Sequence, residues 1–316
     1  MSSPFTEIID DQVKHLGESQ LIENIRRWLK ECAPPTPFGM GDDTAVLKEP
    51  RHNLLTTDSL VYGRHFDDSL SAELAGAKLL KRNLSDIAAM GGQPGVAVLA
   101  GFLPSNTSIS WIEQFVTGLR ECAREWGVLI VGGDLTQTDD FLGFNLTLNG
   151  TAARPVLRGA SESGDLIWVT GELGGSIHGH HAEFRPRLKE GQYLANEAAV
   201  HSMIDVTDGL AKDLPTLLSD GLAAEIDLNA IPLRDQAQQA PHPLAAAFTD
   251  GEDYELLFTT SSDWIGDGCL LNWETNFKTR LSCIGRVVTR PNATGQIIDA
   301  KTDQPINYGE AYEHFR

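Results

Sequence analysis

The sequence predicts an α+β fold in two domains, on three observations. Its 316 residues exceed what one ordinary hydrophobic core needs. Strand-like and helix-like periods alternate through both halves. After Ala153 the composition changes, because ARPVLRGASESGD gathers two arginines with Pro, Gly and Ser in a stretch suited to an interdomain connection at 154–164. The expected division is an N-terminal mixed α/β domain over 1–155 and a C-terminal α/β domain over 156–316.

Leu21, Ile22, Ile25, Trp28 and Leu29 recur at helical spacing over 19–31. The proline-rich CAPPTPFGMG then stops that helix and makes 33–43 a loop. Residues 44–48 and 53–57 read as strands joined by a turn at 49–52, and a helical period follows over 72–90. Next come a strand at 95–102, a helix at 110–126, the apolar run VLIV at 128–131, and the alternating strand FNLTLNGTA from 144. VLIV is expected to be a buried strand that turns sharply at Gly132-Gly133-Asp134. In the second half DLIWVT, MIDV, AAEIDL, YELLFTT and RLSCIGRV read as strands, with a helix running through Lys212 and Leu217. There is no internal repeat and no low-complexity tract.

The 25 basic and 44 acidic residues leave a net charge of −19, which disfavours nucleic acid and anionic membranes as partners. A phosphate-bearing substrate would need divalent cations to approach such a chain. No run approaches the roughly 18 apolar residues of a membrane span, and MSSPFTEIIDDQVKHLGESQ is too acidic and polar for a signal peptide, so the expected location is the cytoplasm. Cys32, Cys122, Cys269 and Cys283 are widely separated and read as isolated thiols, neither a zinc knuckle nor a disulfide framework.

Six acidic loops carry the chemistry. GMGDDTAVL sets Asp42 beside Asp43 at a loop-to-strand junction, costly if buried and ordinary if an exposed turn. LTTDSL ends a strand with Thr56, Thr57 and Asp58, oxygen donors that suit a hard cation as well as they suit solvent. NLSDIAAMGG carries one charge, Asp86, in an otherwise apolar or small helix end, where a carboxylate requires a base, hydrogen bonds or a metal. Gly132-Gly133-Asp134 offers backbone N–H groups to a phosphate, or simply a turn. In IDVTDGL, Asp205, Thr207 and Asp208 precede a helix start that is either capped by its own side chains or open to an anion. DGEDYEL places Asp250, Glu252 and Asp253 ahead of a strand. Together, without a Gly-x-x-x-x-Gly-Lys-Ser/Thr loop, they point to phosphate chemistry run by several magnesium ions. The Gly-rich TGELGGS matches neither a P-loop nor a dinucleotide fingerprint, and His178, His180 and His181 read as a polar loop and less as a zinc site.

Taken in order, GMGDDTAVL, TTDSLVYGRHF, NLSDIAAMGG, GGDLTQ, LRGASESGD, VTGELGGS, IDVTDGLAKDL, DGEDYEL and AYEHF resemble the motifs of thiamine-monophosphate kinases, within the superfamily that includes aminoimidazole ribonucleotide synthetase. The resemblance implies phosphorylation of thiamine monophosphate to thiamine diphosphate by ATP with several Mg2+ ions, in a homodimer whose N-terminal sheets pair across the interface. It implies metal ligation by Asp42, Thr56, Thr57, Asp58, Asp86, Asp134, Asp205 and Asp208, with Asp58, Asp86, Asp134 and Asp208 serving catalysis. It implies ATP contacts from Gly133, Asp134, Arg158 and Thr207, and contacts to thiamine monophosphate from His65, Glu252 and Tyr312 or Phe315. The alternative is another ATP-dependent activity of the superfamily, or a silent nucleotide-binding homologue. Two departures stand out: Leu135-Thr136-Gln137 replaces the family's usual Thr with a following Arg, and HHAEFRPR replaces its usual Arg-Pro-x-Pro-Arg.

Overall fold

The computed structural model describes residues 36–37, 42–43, 45–48 and 52–308, so Tyr312 and Phe315 lie outside the described residues. Two sheets organise them. The first comprises β1 (Ala45–Lys48), β2 (His52–Val61), β3 (Gln93–Pro104), β4 (Leu129–Thr138) and β5 (Gly143–Ala152), in the order β1-β2-β5-β3-β4. Its antiparallel pairs alternate, so Leu54, Leu60, Leu146 and Leu148 are buried on one face. Helix α1 (Ala72–Ala89) covers that face and α2 (Ile109–Trp126) packs on α1.

Ser71 and Ser108 cap the starts of α1 and α2 by accepting the N–H groups of Leu74 and Trp111, and Gly127, at φ 70°, ends α2. The two helices touch backbone to backbone. A Cβ on Gly118 would sit 1.9 Å from the Glu73 carbonyl oxygen, and one on Gly76 the same distance from that of Phe115. Gly118→Ala is therefore expected to cost about 1–3 kcal/mol or more by forcing the helices apart, read as a lower denaturation midpoint.

The second sheet has β6 (Leu166–Thr170), β7 (Val200–Asp205), β8 (Leu222–Ile226), β9 (Leu256–Thr260), β10 (Leu281–Thr289) and β11 (Ile297–Asp299), in the order β11-β8-β10-β6-β9-β7. Its helices are α3 (His180–Glu183), α4 (Leu188–Asn196), α5 (Leu210–Thr216), α6 (Asp235–Gln238), α7 (Pro243–Thr249) and α8 (Cys269–Asn276). Ile167, Val169, Leu257 and Ile284 form one core with Leu210 and Leu214 of α5 and Phe248 of α7. Trp168, Met203 and Phe258 join a second core that continues through α1 into the first sheet. That continuity fixes the two sheets relative to each other. Arg154 adds to it by donating to the carbonyls of Ala195, Glu197 and Val200.

The strands expected from the sequence are present, but the expectation for VLIV fails. Val128 is buried, whereas Leu129 and Val131 are 65% and 60% exposed, and the strand runs on through both glycines to Thr138 instead of turning. Among the described residues β4 is an edge strand, and an apolar run of four cannot by itself distinguish a sheet centre from an unpaired edge. Gly133 serves strand contact here: a Cβ would lie 1.9 Å from the Leu99 carbonyl oxygen in β3. The 180–187 segment is also not a plain polar loop, since it contains α3 and buries Phe184. Among the described residues no helix is long and apolar enough to cross a membrane.

Candidate active site

The period of two in β2 sends Thr56 and Asp58 toward α1, and Thr57 and Ser59 to the sheet's other face. On the α1 side Thr56 Oγ1 donates to Asp86 Oδ2. Arg82, one turn earlier in α1, donates to Asp58 Oδ1 at 3.1 Å and to the Ser59 carbonyl at 2.8 Å. Ser85 Oγ donates to Asp205 Oδ2, at the end of β7, at 2.5 Å. Residues of both sheets thus meet at the end of one helix. Asp43 completes the group: Asp43, Asp86 and Asp205 each offer a carboxylate oxygen, all within 4.8 Å of one another.

Burial pushes Asp205 up to about 6. Burial, with the charges of Asp58 and Asp205 beside it, holds Asp86 well above the usual carboxylate range. Asp43 Oδ2 is buried without a hydrogen-bond partner. Three crowded, poorly solvated carboxylates with an unused oxygen have the donor chemistry of a hard divalent cation such as Mg2+. Asp42, one of the eight expected ligands, is not in this group. It accepts the N–H groups of Arg158 and Asp43 at 3.0 and 2.9 Å, and burial pushes it up to about 6 despite them. The Arg158 guanidinium pairs with Asp43, its Nε lying 3.5 Å from Asp42.

From this cluster a cleft of about 900 Å³ opens between the sheets. Asp58, Arg64, His65, Arg82 and Asp86 line one wall, while Ser176–His178, Thr207, Asp208, Asp250, Glu252 and Tyr254 line the other. Asp208 is paired with Lys212 at 2.6 Å. The helix start at 207–209 proves not to be an open anion site. The N–H groups of Thr207, Asp208 and Gly209 all donate to Asp213 Oδ2, at 2.9, 2.9 and 3.1 Å. The carboxylate of Asp213 fills the nest that a phosphate would have used.

Residues 41–153 match the family described as AIR synthase related protein, N-terminal domain, and residues 149–264 match its C-terminal domain. A thiamine-monophosphate kinase of Rhodopirellula baltica is 32% identical over 292 residues, 87% of this chain and 91% of that protein. That of Escherichia coli K12 is 30% identical over 329 residues, 95% of this chain and 98% of the relative.

The chain belongs to the thiamine-monophosphate kinase family.

Solved structures agree. AaThiL complexed with AMPPCP and TMP is 26% identical to this kinase with a TM-score of 0.81, covering 99% of this chain and all of that one. The thiamine monophosphate kinase from Aquifex aeolicus gives 25% and 0.76, over 90% of this chain and 97% of that one. A HypE-HypF complex, 18% identical with a TM-score of 0.71, shares the fold alone.

Within the kinase, Thr56, Asp58, Asp86, Thr207, Asp208, His65 and Glu252 reach the cleft or its acidic end, with Asp205 and Arg158 beside them. Thr57 borders the cleft, but its hydroxyl is engaged with Asn145 and Thr147 on the far side of the sheet. Gly133 and Asp134 are not brought to the cluster by this single chain. Asp134 is in register with Ala100, Ala100 with Asn145 and Asn145 with Ser59, a row on the face turned away from α1. Thr136 Oγ1 donates to Asp134 at 3.2 Å there.

The three histidines part company. His178 borders the cleft, His180 Nε2 meets the Asp253 carbonyl at 2.8 Å, and His181 Nδ1 meets Lys78 Nζ at 2.8 Å. Among the described residues, the grouping suited to a metal contains aspartates only. Sequence reasoning noted Asp43 but gave it no role, and missed Arg82, Lys78 and Asp213. Asp43, Arg82 and Lys78 had a visible signal: Asp43 alternates in direction with Asp42, and Lys78, Arg82 and Asp86 recur every four residues along one helix face.

Proposed function

We propose that this kinase transfers the γ-phosphoryl group of ATP to thiamine monophosphate in this cleft, giving thiamine diphosphate and ADP. The observation that carries the reading is the cleft itself, which joins a desolvated carboxylate cluster to an acidic and aromatic wall. A phosphate oxygen of thiamine monophosphate attacks the γ-phosphorus in line as the bond to the ADP oxygen breaks. That oxygen is already ionised near pH 7, so position and charge suffice and no general base is required. Mg2+ held by Asp43, Asp86 and Asp205, with Thr56, Asp58 and Asp208 near them, would neutralise the converging phosphates.

The chain's own residues have distinct tasks. Asp58 orients Arg82 toward the cleft, and Arg158, paired with Asp43, and Thr207, on the cleft wall, are our candidates for contacts to ATP. Burial alone would raise Glu252, but the Lys78 ammonium, with Arg82, more than offsets this and holds its carboxyl below the usual range. Glu252 is therefore an anion facing the cleft, a suitable partner for a cationic thiazolium, with His65 beside it and Tyr312 or Phe315 as the expected aromatic cover.

The same reading divides the chain into domains over 1–155 and 156–316 that close on the cleft, and it sets the enzyme in the cytoplasm as a homodimer. Support for the dimer is the face away from α1, where Val96, Val98, Leu129 and Val131 are exposed beside an edge that is unpaired among the described residues. A partner on that face would bring Gly133 and Asp134 to a subunit junction. Val98→Asp is expected to halve the mass measured by sedimentation, and an unchanged mass would exclude this face.

Incubation with thiamine monophosphate, ATP and Mg2+ is expected to yield thiamine diphosphate and ADP in equal amounts, with none when the cation is chelated. ATP cleavage without the thiamine product would contradict the assignment.

A further inference from the structure

We propose that Lys78 is a positioning residue for the acceptor substrate, its buried ammonium holding the Glu252 and His65 sides of the cleft in one fixed arrangement. The inference rests on the reading of Glu252 and His65 as the residues that meet thiamine monophosphate.

Lys78 sits in the middle of α1 and its side chain is completely buried. A lysine in that position is costly unless its three N–H donors are all used. They are: Nζ lies 2.8 Å from Glu252 Oε1, 2.9 Å from the His65 carbonyl oxygen and 2.8 Å from His181 Nδ1. For His181 Nδ1 to accept, the imidazole must be neutral with its proton on Nε2. Burial and the neighbouring Lys78 charge push His181 toward that state.

The three partners come from three separate segments: the turn after β2, helix α3, and the loop before β9. Two of the three, His65 and Glu252, border the cleft. Glu252 has a φ of 53°, a left-handed backbone that a residue with a side chain keeps only when its surroundings hold it there. Its amide donates to the Thr207 carbonyl at 2.7 Å, and its carboxylate is held by Lys78. Lys81, three residues further along α1, reinforces the same side by donating to the Ala182 carbonyl of α3 and lying over the Phe184 ring. A lysine that served stability alone would be indifferent to where its partners' other atoms point. This one holds the Glu252 carboxylate and the His65 main chain, whose ring is itself fixed by the Val61 N–H, at a single end of the cleft.

The test is the pattern of KM values in Lys78→Met, Glu252→Gln and the double variant, each confirmed folded by circular dichroism. Lys78→Met is expected to raise KM for thiamine monophosphate about tenfold or more by displacing its contacts, leaving KM for ATP within about twofold. The double variant is expected to be no worse than the worse single one, because Lys78 acts through Glu252. If Glu252→Gln leaves KM for thiamine monophosphate unchanged, the underlying reading of the substrate wall fails. If Glu252→Gln raises it and Lys78→Met does not, or raises both KM values alike, the positioning role is overturned. Should Lys78→Met not fold, Lys78→Arg keeps the cation but changes its reach, and the same selective rise in KM supports the role while its absence refutes it.

Discussion

Asp86→Asn is expected to lower kcat by about 10²–10³-fold at saturating substrates and Mg2+, the usual cost of removing one electrostatic contact that matters in a transition state. The same substitution is expected to raise the melting temperature of the protein in the presence of a chelator. Both effects have one origin. Asp86 is crowded by Asp58 and Asp205 in a poorly solvated place and sits well above the normal carboxylate range, so its charge destabilises the metal-free fold. Asparagine keeps the shape and can still accept from Thr56 Oγ1, which now meets Asp86. It removes the charge that a cation requires. Activity and stability should therefore move in opposite directions, the mark of a site kept for function and not for folding. A variant with kcat within tenfold of the parent, or with a lower melting temperature without metal, would remove Asp86 from this role.

The largest loss of stability is expected at Arg187. Its guanidinium grips Glu255 with two hydrogen bonds, Nε to Oε2 at 2.7 Å and Nη2 to Oε1 at 2.6 Å, and its Nη1 reaches Thr279 Oγ1 at 3.2 Å. The Glu255 side chain is 2% exposed and also accepts from Thr170 at 2.7 Å. Arg187→Met would strand that buried carboxylate without its cation, at a cost of about 3–5 kcal/mol. Urea unfolding followed by tryptophan fluorescence would show it as a lower midpoint at unchanged slope. The double variant Arg187→Met with Glu255→Met should recover much of the loss, because the stranded charge is what costs. A single variant within 1 kcal/mol of the parent would mean that the pair contributes little.

The sequence made most of the architecture legible because its signals are local. The apolar period over 72–90 and the alternation in FNLTLNGTA each reflect one buried face of one element, which neighbouring residues encode. VLIV misled because strand pairing is not local: nothing in four apolar residues says whether a sheet continues beyond them, and here it ends. The site shows the same division. Asp86 was recognisable from its apolar surroundings alone. Which of Asp42 and Asp43 faces Asp86 and Asp205 depends on where Arg158 lies, more than a hundred residues onward, since its backbone N–H takes the Asp42 carboxylate. The helix start at 207–209 resembled a phosphate cradle because the sequence shows its donors but not Asp213 folded back on them. HHAEFRPR looked polar because its composition is polar. Its histidines are engaged with Asp253, Lys78 and Glu252, partners that only the folded chain supplies.

In the proposed mechanism the phosphoryl group passes directly between two bound substrates, with the chain contributing position and charge and no covalent step. Stereochemistry at phosphorus tests this most directly, using ATP made chiral at the γ-phosphorus with oxygen isotopes and thiamine monophosphate as acceptor. Inversion is expected in the thiamine diphosphate formed, from a single in-line displacement. Retention would require two displacements through a phosphorylated side chain, and would contradict it.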